Sequence, residues 1–227
     1  IFTNEHFSPS WRMALDTMAY VLGAVGVSLV FGTTLAWLTE RARIPRPSLA
    51  AALVVLPFLL PPSLVTGAWL SLFRGRSGSV NVFLRENFFS GLTSGPIDLA
   101  TIPALALAQG LFMTPIAFLL MAAALRNMSG NLEEVSFASG AGPFTTVRRV
   151  TLPLLFPALF TVAVLGAWFT LDWTDVPFDL GAIGAVRLFS IRLYFQTVGS
   201  VGGFPNFGGA AAHGVLMLVM LAALFFI

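Results

Sequence analysis

The chain has 227 residues, 57% hydrophobic and only 10% charged, with a mean hydropathy of +0.88. A soluble domain carries about a quarter charged residues, so a water-soluble globular protein is excluded. The net charge of +2 comes from arginine alone and is too small to argue for nucleic acid; with no cysteine, disulfides, thiolate chemistry and cysteine metal sites are excluded too.

The apolar runs are long and continuous rather than alternating, which predicts an all-α integral membrane protein and not a barrel. Thr17 to Thr39 carries no charge and as a helix extends about 35 Å, enough to cross a bilayer. Within it Ala24, Ser28, Gly32 and Ala36 recur every fourth residue. Such a small-residue stripe lets a second helix approach closely in lipid, where burying apolar area gives no drive. An arginine-rich connection, Glu40 to Pro47, leads to a second span, Ser48 to Phe73. Pro57, Pro61 and Pro62 interrupt that span; prolines free carbonyls and kink a helix, so Pro61 and Pro62 are candidates for lining a path. Arg74 to Asp98 reads as a loop whose Phe83, Phe88 and Phe89 dip into the membrane interface.

The third span, Leu99 to Leu125, is again uncharged, with a bend expected at Thr114-Pro115. Its one amide, Gln109, either bonds to a neighbouring helix or lines a path together with Thr114. Leu154 to Leu171 is the fourth span. Asp172, Asp175 and Asp179 follow at i, i+3 and i+7, a spacing that on a regular helix would suit a hard cation such as ferric iron. Pro177 spoils that helix, so no metal site is expected there. Arg187 to Val198 is amphipathic, with Leu188, Ile191, Phe195 and Val198 on one side, and is expected to lie along the membrane surface. Gly208 to Ile227 is the fifth span, and its His213 is expected to hydrogen-bond within the bundle. Trp11, Trp37, Trp69, Trp168 and Trp173 all fall near span ends, as an aromatic belt requires. Because the last span runs into the end of the chain, residues 1–227 are expected to be one transmembrane domain cut from a longer polypeptide, single or duplicated.

One long polar interval, Asn131 to Pro153, is neither loop-like nor membrane-like. Asn131 suits an N-cap, with Glu134 in the capping-box position and Glu133 also in the first turn. Leu132, Val135 and Ser139 share one face. Gly140 stands where a helix end wants positive φ, and Pro143 suits the first position of a second helix. That helix is expected to hold Arg148 and Arg149 in its last turn and to stop before Pro153.

Glu134, Gly140 six residues later, then nine residues before Val150-Thr151-Leu152-Pro153: this frame resembles the cytoplasmic "EAA" loop of binding-protein-dependent ABC permeases. Val135 and Ser136 replace two alanines that are usual there. The segments WTDVPFDLG, RLFSIRLYF and FPNFGGAAAHG are similar to the first half of the long ferric-iron permeases. The resemblance implies a five-helix permease core with this loop as its coupling element, through Glu133, Glu134, Gly140, Ala141, Pro143, Arg148, Leu152 and Pro153. It further implies ATP-binding partner subunits on the loop, a second permease core in the same or another chain, a periplasmic solute-binding protein, and a place in the bacterial inner membrane. Arginines divide six and six between the two sides, so only the resemblance places the loop in the cytoplasm. No ATP site or other cofactor is expected in the chain itself, because a phosphate-cradling GxxxxGK[ST] needs a lysine and there is none. The alternative is a secondary transporter without an ATPase, which would show charges paired within its spans; these spans have none between their ends.

Overall fold

The computed structural model describes residues 10–42, 44–128, 131–181, 186–198 and 204–226, and among them every regular element is helical. In order these are α1 (Ser10–Glu40), α2 (Pro47–Val55), α3 (Pro62–Phe73), α4 (Ser79–Asn87), α5 (Ile102–Asn127), α6 (Asn131–Ala138), α7 (Pro143–Thr146), α8 (Leu152–Asp172), α9 (Phe189–Val198) and α10 (Phe207–Phe226). Among the described residues, three helical stretches are long and apolar enough to cross a membrane: Trp11–Glu40, Ile102–Asn127 and Pro143–Asp172. The predicted second span is interrupted. A 3-10 turn, Leu56–Leu59, follows α2, and the chain bends at Leu60-Pro61 before α3 begins, so at most the pair makes a fourth span. The cause is Pro57, Pro61 and Pro62, which remove three donors within six residues. The helix α10 is strongly apolar over its 20 residues.

The chain divides into two compact units, to which α1, α5 and α8 each contribute residues. The first comprises residues 1–24, 60–110 and 167–227. Here Gly23 lies against Ala106: a Cβ at Gly23 would fall 2.8 Å from the alanine methyl. The Thr17 hydroxyl accepts the Phe189 N–H at 3.2 Å and so ties α1 to the start of α9. The Arg74–Asp98 stretch, expected as a loop, contains α4. Apolar residues at Val80, Phe83 and Leu84 keep helical spacing there, and the glycines and serines that surround them masked the signal. Asn81 is fully buried, donating to the carbonyls of Phe73 (2.7 Å) and Ile97 (2.8 Å) and accepting the Ile97 N–H at 3.1 Å. One side chain thus fastens both ends of the segment. His213 bonds the Gly209 carbonyl of its own helix through Nδ1 at 2.7 Å, with the Phe189 ring 5.6 Å away.

The second unit comprises residues 25–59 and 111–166. Its core is Ala36, Ala117, Phe118, Met121, Ala122, Leu125, Leu155 and Val162. The small-residue stripe works here as the sequence predicts. Ser28, Gly32 and Ala36 are buried, and a Cβ at Gly32 would lie 2.5 Å from the Ala117 methyl and 2.9 Å from the Phe118 nitrogen. A methyl group therefore does not fit between α1 and α5, and their contact rests on dispersion between close backbones.

Candidate functional site

The segment from Asn131 to Pro153 lies within the second unit. The side chain of Asn131, expected to cap α6, lies outside the described residues, as does Arg43. At the other end α6 closes as predicted. Gly140 has φ of 82°, its N–H bonds the Phe137 carbonyl at 2.9 Å, and the Ala141 N–H reaches Ser136 at 3.1 Å. Those two bonds make a Schellman cap, which needs the left-handed residue that glycine supplies most readily. No atom lies within 4 Å of where a Gly140 Cβ would project, so only the backbone conformation selects glycine at this point. Gly142 is extended and Pro143 opens α7. The Ser136 and Thr146 hydroxyls meet at 2.9 Å and join α6 to α7.

The second helix does not stop before Pro153. It passes through a π-turn, Val147–Thr151, where the Leu152 N–H bonds back to Val147, and continues without a break to Asp172. The widened turn comes where the ring of Pro153 would otherwise meet the carbonyl four residues earlier. Arg148 and Arg149 are therefore exposed within a continuous helix rather than at a helix end. Leu152 and Pro153 are exposed beyond them, and Ala141 is half-buried.

The two acidic residues of α6 part company. Glu134 points to solvent, among the exposed apolar side chains Leu132, Val135, Phe137 and Phe144, of which Phe144 is 76% exposed. Glu133 is turned inward. Its Oε1 accepts the Thr151 hydroxyl at 2.9 Å, and its Oε2 lies 3.3 Å from Nε of Arg41. Arg41 Nη2 in turn donates to the carbonyls of Leu125 (3.0 Å) and Met128 (3.2 Å) at the end of α5. Sequence reasoning missed Arg41, Thr151, Phe137 and Phe144. For the two aromatics a signal existed, since they are large apolar residues in a polar interval; for Arg41 and Thr151 there was none.

Pro61 and Pro62 form the bend before α3, and Thr114 is buried in the second unit. Gln109 is fully buried in the first, with no hydrogen-bond partner for either amide atom among the described residues. Asp172 and Asp175 are exposed, whereas Asp179, in a π-turn spanning Pro177–Gly181, accepts a hydrogen bond from the Thr66 hydroxyl. No group of three metal-ligating side chains occurs among the described residues.

Residues 58–227 match the family described as "Binding-protein-dependent transport system inner membrane component". The chain belongs to that family. Over its whole length this permease is 30% identical to a ferric transport system permease protein of Haemophilus influenzae, of which it covers 36%. It is 30% identical, over 69% of its length and 66% of the relative's, to the molybdenum transport system permease protein of Escherichia coli K12. The fold is that of the bacterial alginate ABC transporter crystallised with a pentasaccharide-bound periplasmic protein (TM-score 0.65, 18% identity, 92% of this chain and 75% of that one). The permease thus spans about a third of the length of the ferric relative. It is a multi-pass membrane protein of that transport-system family.

Proposed function

We propose that the chain is one core of an ABC importer in the bacterial inner membrane, passing a solute handed over by a periplasmic binding protein and driven by separate ATPase subunits. Five spans are completed by counting α2–α3 as one broken span and α10 as the last, and a second core stands beside it, in the same or another chain. The ATPase docks on residues 131–153. The observation that carries this reading is the exposed face of Leu132, Glu134, Val135, Phe137 and Phe144, held by a glycine-capped turn. An apolar patch with one acid, rigidly backed, suits a partner groove with a basic rim. Gly140, Ala141 and Pro143 set the turn, while Arg148, Leu152 and Pro153 continue the outer surface. Pro61, Pro62, Gln109 and Thr114 remain the path candidates. Nucleotide is bound by the partners and no cofactor by this chain. The solute belongs to the small inorganic ions named for the relatives, with ferric iron first because that match covers the whole chain. Co-purification of an ATPase subunit encoded beside this chain tests the docking, and uptake of ferric iron against molybdate tests the solute. A chain that transports without any ATPase subunit contradicts the reading.

A further inference from the structure

We infer that Arg41 and Glu133 are positioning residues that make the two-helix loop and the inner end of α5 move as one body; the inference rests on the proposed docking of an ATPase at that loop. Four pieces of chain meet at these two side chains. Arg41 follows the last turn of α1, Glu133 belongs to α6, Thr151 to the π-turn entering α8, and the accepting carbonyls of Leu125 and Met128 to the end of α5. All of them lie in the second unit.

The chemistry makes this a strut rather than a surface decoration. The final carbonyls of a helix have no partner inside it, and the guanidinium of Arg41 supplies donors to one of those in α5, at Leu125, and to the carbonyl of Met128 just after the helix. The same planar group lies beside the Glu133 carboxylate at 3.3 Å, and both side chains are mostly shielded, at 22% and 17% exposure. A shielded pair whose carboxylate also accepts a hydroxyl is costly to break from one side only. Adjacent acids thus divide the work: Glu134 faces outward, where a partner reaches it, and Glu133 faces inward, where it meets the membrane helices. Nearby, Glu40 and Arg126 also join α1 to α5, at 2.9 Å, but this pair is exposed on the arginine side and does not reach the loop.

The test uses the transporter assembled with its ATPase subunits in lipid nanodiscs. With no native cysteine, spin labels go only to Leu119→Cys on α5 and Ala138→Cys on α6. Their separation is measured without nucleotide and with ATP plus vanadate. In the parent, the two states give one separation. In Arg41→Ala the loop follows the ATPase while α5 does not, and the separation changes between states by roughly 1–5 Å, from the scale of a helix shift to that of a one-turn ratchet. Glu133→Gln, which keeps an acceptor for Thr151, gives the same state dependence to a lesser degree. Arg41→Lys, which keeps the charge but loses the fork, recovers part of the parent behaviour. Arg126→Ala behaves as the parent. A merely structural role would change both states alike. Equal separations in both states for Arg41→Ala and Glu133→Gln, with ATPase bound, overturn the inference alone; failure of the parent to bind any ATPase removes the docking reading and this inference with it.

Discussion

At the scale of single residues, the side chains that matter most are polar ones with several partners. Asn81 makes three hydrogen bonds from full burial, and Asn81→Ala leaves the Ile97 N–H and the carbonyls of Phe73 and Ile97 without them. Each orphaned buried group costs about 1–3 kcal/mol, so the variant is expected to lose several degrees of thermal stability in detergent, with early proteolysis within residues 74–98. Limited proteolysis followed by mass spectrometry checks this. Asp179 illustrates the opposite lesson. It is engaged with Thr66 while Asp172 and Asp175 face outward, an arrangement unlike a three-carboxylate cage. Replacing all three aspartates with asparagine is expected to leave the choice of solute unchanged, although the rate of uptake falls. Competition of ferric iron against molybdate in the triple variant measures it, and a selective loss of iron uptake would show that the carboxylates do hold the metal.

At the scale of elements, helix against helix is set by small residues. Gly32 faces Ala117 with no room for a methyl, so Gly32→Leu is expected to force α1 from α5 and destabilise the fold by about 1–3 kcal/mol, whereas Gly26→Ala, with open space around it, changes little. Unfolding in denaturing detergent mixtures compares the two. This stripe was readable from its spacing, as were α1, α5 and the turn at Gly140, because period and glycine conformation are local properties. What escaped reading has a common physical cause. The continuation through Pro153 depends on a π-turn, and α4 on a short apolar pattern inside a glycine-rich stretch. Each is a local rule bent by its surroundings. The contact of Arg41 with Glu133 joins residues far apart in the chain, and no spacing rule reaches that distance. Half of the candidate site was therefore legible, namely its frame and its turn. Its outward and inward division between Glu134 and Glu133 was not, since neighbouring acids on one helix look alike until the helix is seated.

At the scale of the whole molecule, the chain has predicted spans without internal charge, no lysine, and, at residues 131–153, a glycine-capped turn that carries exposed apolar side chains. On the proposed reading, work is delivered by partner subunits and enters through residues 131–153. The most direct measurement is co-purification of the ATPase subunits with a Gly140→Trp, Glu134→Ala double variant, alongside solute uptake. A Cβ at Gly140 meets no atom within 4 Å, and tryptophan there must take a left-handed backbone at a cost of about 1–2 kcal/mol, so the chain is expected to insert and fold while the indole obstructs the docking face. The account predicts that this variant reaches the membrane at parental levels, loses its ATPase subunits and takes up no solute. Parental uptake with the ATPase still bound would contradict it.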